Sequence, residues 1–148
     1  MAAGLRGLAG KTVFITGGGR GQGANHARAF AESGCNAVVT DIRAPIEGLA
    51  PTATKEQLEL TVSQIEERDA RGLGVVADVR DPDQMKAAVD QATAEFGNID
   101  ILVNNAGVGG AAMLHEMPLE RWHHRQRDRA RQHPPDRRAR VAHVPGLG

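Results

Sequence analysis

Apolar residues recur along this chain in two alternating rhythms. Short, mostly apolar runs stand at Val13–Ile15, Ala37–Val39, Gly74–Ala77 and Ile99–Val103, with Gly, Asp, Asn or Thr at or next to their ends. Runs of this length between turn residues read as buried strands. The stretches between them carry helical spacing instead. Ala24, His26, Ala27, Phe30 and Ala31 follow with helical spacing, Leu58, Val62 and Ile65 fall on one face, and then Met85, Val89, Ala92 and Phe96 form a stripe. These stripes read as core, and Glu56, Glu59, Glu66 and Glu67 as a solvated surface. The predicted order is strand Lys11–Thr16, helix from about Gly21 to Ser33, and strand Ala37–Thr40 ending at Asp41. Helix Lys55 to about Arg71, strand Gly74–Ala77, a helix from Pro82 to the residue before Gly97, and strand Ile99–Asn104 follow. Gly34 and Gly97 stand where helices end, and Asp81-Pro82 is a cap followed by a first-turn proline. Four strands alternating with three helices predict a parallel sheet with right-handed crossovers and helices on both faces, a doubly wound α/β fold.

The first strand runs into T-G-G-G-R-G-Q-G at Thr16–Gly23, with Gly17, Gly18, Gly19, Gly21 and Gly23 inside eight residues. Strand, glycine turn and helix in that order is phosphate-binding geometry. Glycine allows positive φ and lets an anion approach with no Cβ in the way. The N–H groups at the start of the following helix then face the anion. Taken alone, a glycine cluster is also compatible with a flexible turn. Asp41 lies 18 residues beyond Gly23 at the end of the second strand. That is close to where a Rossmann-type dinucleotide fold places an acid on the adenosine ribose. Its carboxylate would accept from ribose hydroxyls and repel a 2′-phosphate, which predicts NAD over NADP. Arg20 and Arg43 argue mildly the other way, since either could pair with a phosphate. Asp78-Val79 and Asn104–Gly107 also fall at strand ends, where such folds hold cofactors. Arg43–Thr54, with Pro45 and Pro51, is long for a strand–helix connection and reads as an insertion near the adenosine end.

Composition narrows the class. The chain of 148 residues has one cysteine, Cys35, so no disulfide forms within it. That fits a reducing cytoplasm, with Cys35 a small core residue at a strand entry. No apolar run reaches membrane-spanning length, and MAAGLRGLAG at the start lacks the apolar region of a signal peptide. The expectation is a cytoplasmic chain without a membrane partner. The formal net charge of zero conceals two parts. Residues 121–148 hold eight Arg and two Asp, a balance of +6, against 10 Lys+Arg and 16 Asp+Glu in the first 120.

On T-G-G-G-R-G-Q-G, Asp41, Asp78-Val79 and N-N-A-G at Asn104–Gly107, the chain resembles the short-chain dehydrogenase/reductase family. G-R-G-Q-G-A-N-H-A at Gly19–Ala27 and D-I-R-A-P-I at Asp41–Ile46, with the insertion after it, look like that family's NAD-dependent, mycofactocin-associated branch, which includes carveol dehydrogenase-like enzymes. The narrower match covers residues 10–122. The resemblance implies a Rossmann-type fold, NAD as cofactor and hydride transfer between a secondary alcohol and a ketone. It implies that Gly17, Gly21 and Gly23 meet the pyrophosphate, with Gly19, Arg20 and Gln22 completing the loop. Asp41, with Ile42 beside it, would hold the adenosine ribose, and Asp78 and Val79 would border the adenine. Asn105, Ala106 and Gly107 would pass beneath the cofactor. Family members are usually homo-oligomeric and take small-molecule alcohols or ketones.

In the family a Tyr exchanges the proton, a Lys four residues later lowers its pKa, a Ser holds the substrate oxygen and an Asn completes the relay. Something must take up the proton as hydride moves. This sequence contains no Tyr, Ser33 and Ser63 fall in the wrong helices, and none of Lys11, Lys55 and Lys86 is placed to serve. No catalytic residue is therefore assigned. The expectation is a Rossmann part over residues 1–122, truncated after the fourth strand, and an irregular tail over 123–148.

Pro118–Trp122 reads as the start of a further helix, but from His123 onward no hydrophobic period remains. Three readings compete for that Arg/His/Pro-rich tail. A basic arm would neutralise phosphates, yet no aromatic follows Trp122 for stacking. His123, His124 and His133 could bind metal, yet no acid or Cys stands at useful spacing. The third reading is a GC-rich gene in a shifted frame. Moving one nucleotide forward through the codons for His123–Ala130 permits T-I-V-N-V-T-G, which resembles the Asn-bearing helix the family has next, with spacing from Trp122 two or three residues short. The expectation adopted is a shifted or disordered tail, with no nucleic-acid partner and no metal.

Overall fold

The computed structural model describes residues 6–42, 51–107, 119, 120 and 123. Its elements are β1 (Thr12–Thr16), α1 (Gly21–Glu32), β2 (Asn36–Asp41), α2 (Lys55–Glu66), β3 (Gly72–Val76), α3 (Pro82–Phe96) and β4 (Ile101–Val103). The sheet order is β3-β2-β1-β4, with every pair parallel. The chain therefore winds outward from β1 to β3, then returns across β1 to lay β4 on its other side. The reversal falls between β1 and β4, and a crevice opens at such a switch point. The predicted doubly wound α/β fold is what forms.

Alternation along the strands builds a core on each face. Val13 and Ile15 of β1, with Ala37 and Val39 of β2, pack against Ala27 and Ala31 of α1 and Leu58 and Ile65 of α2. Phe14 and Val38 point the other way, onto Ala88 and Ala92 of α3. Full burial of Phe14 or Ile15 contributes roughly 1.5–3 kcal/mol each. Cys35 is buried in the first cluster, and its Sγ donates to the Leu8 carbonyl at 3.1 Å. Burial pushes its thiol pKa up.

The second helix is shorter than its pattern predicts. It stops at Glu66, and β3 begins at Gly72 instead of Gly74. Asp69 adopts a left-handed φ of 57°, which no helix continues through. β3 then starts early because its glycines let α2 lie close. A Cβ at Gly72 would stand 3.1 Å from Val62 Cγ1, and one at Gly74 3.0 Å from Val62 Cγ2. β4 is also shorter than Ile99–Asn104. Ile99 turns into the α3 core, and β4 pairs only with Val13–Ile15 of β1.

Both capped helices begin as their chemistry requires. Asp81 accepts from the amides of Asp83 (3.0 Å) and Gln84 (3.2 Å), and Gln84 Nε2 returns a bond to it. Thr54 and Gln57 form a reciprocal capping box on α2. Among the described residues β4 ends the sheet, as expected for an edge, with Leu102 46% exposed. No helix among them is long and apolar enough to cross a membrane. Arg43, most of the insertion, and the tail beyond His123 lie outside the described residues. Of the helix expected at Pro118–Trp122, Leu119 and Glu120 are described and helical.

Candidate functional site

A cleft of about 290 Å³ opens at the C-terminal ends of the strands. Gly17, Arg20, Gly21 and Gln22 form its floor, and Asp41 and Ile42 one side. Asp78 and Val79 form another side, and Asn105, Ala106 and Gly107 close it across β4. Eleven of the thirteen residues singled out in the sequence therefore line one cavity. The other two, Gly19 and Gly23, stand behind its wall and shape it.

The glycine loop is held by close approach on every side. Gly17 has φ of 67°, and a Cβ there would lie 2.7 Å from Ala106 Cα. A Cβ on Gly23 would lie 2.1 Å from the Gly17 carbonyl oxygen, so only glycine lets α1 sit on the turn. Gly18 packs on Val39 and Gly19 on Ala53, each with 2.6 Å to a hypothetical Cβ. Gly21 differs. Its φ is 57°, yet nothing stands within 4 Å on its Cβ side. That open side belongs to the first residue of α1. Arg20 at the N-cap is extended, gives no side-chain cap, and the first turn carries no acid. Uncapped N–H groups and the positive end of the helix dipole thus face the cleft. This arrangement favours an anion.

Asp41 ends β2 at the cleft wall. Its Oδ2 accepts from Gly19 N at 2.9 Å and its Oδ1 from Ile42 N at 2.8 Å. Burial pushes its carboxyl pKa up, while the two amides and nearby Arg20 pull it back. Each oxygen has accepted one backbone bond and retains a second lone pair.

Asn105 builds the opposite wall. Its Nδ2 donates to the carbonyls of Thr16 and Gly17, both at 3.0 Å. Thr16 Oγ1 in turn accepts from the amides of Asn105 (3.1 Å) and Ala106 (3.0 Å). The end of β1 and the turn after β4 are thereby stitched together across the switch point.

Asp78 is engaged within its own loop. Its carboxylate takes a forked contact from Arg80, with Nη2 to Oδ2 at 2.6 Å and Nε to Oδ1 at 2.9 Å. Sequence reading missed Arg80 altogether, along with Ala77, Thr52 and Ala53 as lining residues. The D-V-R order offers the Asp-to-Arg contact as a local signal. For Thr52 and Ala53 only the length and prolines of the insertion pointed to this end of the cleft. Among the described residues no three His, Cys, Asp or Glu side chains are grouped to hold a metal ion. His124 and His133 lie outside them.

A protein-family model for short chain dehydrogenases matches residues 11–125. An uncharacterised NAD-dependent oxidoreductase of Mycobacterium tuberculosis is 38% identical over 117 residues, covering 78% of this chain and 42% of that protein. Carveol dehydrogenase from Mycobacterium avium, solved in complex with NAD, superposes with a TM-score of 0.75 at 40% identity, over 80% of this chain and 44% of that one. A short chain dehydrogenase from Burkholderia cenocepacia, solved with NADP, gives 0.71 at 32% identity, over 84% and 47%. The chain thus spans less than half the length of these relatives. Fold, cleft and sequence agree, and the chain belongs to the short-chain dehydrogenase family.

Proposed function

We propose that this chain is the cofactor-binding portion of an NAD-dependent oxidoreductase acting between a secondary alcohol and a ketone. The observation that carries the reading is the convergence at the switch point. The open N-terminus of α1, the Asp41 carboxylate and the Asn105–Gly107 turn face one cleft. Gly21 and Gln22 would take the pyrophosphate on backbone N–H groups, and Gly17 leaves room for its approach. Asp41 would accept from the adenosine ribose hydroxyls with its remaining lone pairs, and Ile42, Asp78 and Val79 would border the adenine. Asn105, Ala106 and Gly107 would lie beneath the cofactor. The bound nicotinamide supplies the hydride acceptor or donor. Substrate oxygen and proton need a further group of suitable pKa beside them. With no Tyr in these 148 residues, that group is assigned to no residue of this chain.

A second reading is a module that holds NAD or adenylate without catalysis, favoured by the same lack of Tyr. One experiment tests what the two readings share, a dinucleotide site without turnover. The purified 148-residue chain is titrated with NAD and NADP by calorimetry, then mixed with NAD and a panel of alcohols. The expected result is NAD binding with no turnover, because misplacing a proton acceptor by about 1 Å already costs on the order of 100-fold. Turnover by this chain would overturn the assignment of the chemistry elsewhere. Failure to bind either dinucleotide would overturn the site.

A further inference from the structure

Both arginines that line the cleft already donate to protein groups. Arg80 is forked onto Asp78, and Arg20 Nη2 donates to the Pro51 carbonyl. The second contact spans 31 residues and ties the glycine turn to the segment before α2. That segment is held at two more points. Ala53, 4% exposed, packs against Gly19, and Thr54 caps α2. Gly19 is gripped from both ends as well. Its N–H donates to Asp41, and its carbonyl accepts from Thr61 Oγ1 at 3.4 Å. Pro51, Thr52 and Ala53 thereby become a wall of the cleft directly beside Asp41.

We propose that Arg20 is a positioning residue that straps the Pro51–Ala53 wall across the Asp41 end of the cleft, and that this wall, with Asp41, decides which dinucleotides fit. The selectivity half rests on the dinucleotide reading above. The strap half does not. An arginine at this place in the loop suits a 2′-phosphate by charge alone. Here its guanidinium is spent on holding the wall, and a strapped wall leaves less space beside the ribose. The two roles give opposite signs. If Arg20 binds the 2′-phosphate, removing it weakens NADP. If Arg20 straps the wall, removing it admits NADP once the Asp41 charge is gone.

The test uses the 148-residue chain in four forms: unmodified, Arg20→Ala, Asp41→Asn and the double variant. Hydrogen exchange is measured without ligand, and NAD and NADP affinities by calorimetry. Arg20→Ala is expected to speed exchange of the Thr52–Lys55 amides by about tenfold, the loss of one charge-assisted bond, and to leave β1 unchanged. Lys86→Ala, on the far side of α3, serves as the neutral control. In the Asp41→Asn background, adding Arg20→Ala is expected to tighten NADP several-fold. Unchanged exchange at Thr52–Lys55 would overturn the strap. Weaker NADP binding by the double variant than by Asp41→Asn would make Arg20 a phosphate ligand and overturn the selectivity half. A chain that binds neither dinucleotide sinks that half together with the site reading, while the exchange result still decides the strap.

Discussion

The cleft has two halves, one on each side of β1, and they are built by different means. Toward β4, the wall is neutral. Asn105 and Thr16 exchange four hydrogen bonds with backbone groups, and Gly23 lets α1 settle onto the Gly17 carbonyl. Toward β2, the wall is charged. A half-buried carboxylate accepts from two amides, and an arginine stands beside it. Neutral bonds to buried backbone respond little to salt or pH and fail only when a partner is removed. A half-buried carboxylate carries part of the desolvation cost of its charged form, so it responds to both pH and ligand charge. On the function proposed above, the β4 side is the rigid side and the β2 side the selective one.

The strongest way to break this contrast is Gly23→Ala on the rigid side. Its Cβ would meet the Gly17 carbonyl oxygen at 2.1 Å and carbon at 2.8 Å, backbone that cannot yield, and the Asn105 side-chain Nδ2 at 2.7 Å. The expected cost is about 4 kcal/mol, read as a lowered denaturation midpoint. A loss below about 1 kcal/mol would mean that α1 can slide off the turn.

Asn105→Ala comes next. It strips two partly buried carbonyls, Thr16 and Gly17, of their side-chain donor. A loss of about 3 kcal/mol is expected from two bonds and the carbonyls left unsatisfied. Its dependence on pH between 4 and 8 should match that of the unmodified chain, since no titrating group is touched.

Asp41→Ala probes the selective side. It should narrow the preference for NAD over NADP by about 2 kcal/mol in calorimetric titration, with little effect on the β4 half. Its pH signature has a definite sign. The folded-state pKa is raised above the ordinary value of 3.8, so the native state holds the proton more tightly than the unfolded chain. The charged carboxylate therefore costs stability, the cost appearing as pH rises through the acid range above 3.8 and staying constant at neutrality. Comparing Asp41→Asn with the unmodified chain should show a stability difference that changes only in that window. A difference that grows in the opposite direction would place Asp41 in a stabilising ion pair instead.

The smallest expected effect is a gain. Thr40, beside Asp41 in β2, is fully buried, and its Oγ1 has no hydrogen-bond partner. Thr40→Val keeps the shape and removes the unmatched hydroxyl, so it should stabilise by about 1 kcal/mol in chemical denaturation. Loss of stability would show that the hydroxyl is satisfied in solution.

Much of this architecture was legible in the residues alone. Short apolar runs and helical stripes follow from backbone geometry, because a strand repeats every two residues and a helix every 3.6. The glycines of Thr16–Gly23, the Asp81-Pro82 cap and the acid at the end of β2 are local signals with local causes. They located the fold, the cleft and eleven of its lining residues. Three kinds of fact were decided only when distant segments met. The end of α2 at Glu66 depended on Asp69 turning left-handed and on Val62 pressing onto the β3 glycines. The partners of Asp41 are amides, and that of Arg20 is a carbonyl 31 residues away. Gly19 and Gly23 serve packing behind the wall, against Ala53 and the Gly17 carbonyl. Periodicity and turn chemistry are properties of neighbours along the chain. Which oxygen meets which amide depends on how the helices seat on the sheet, and close packing sets that seating to a fraction of an ångström.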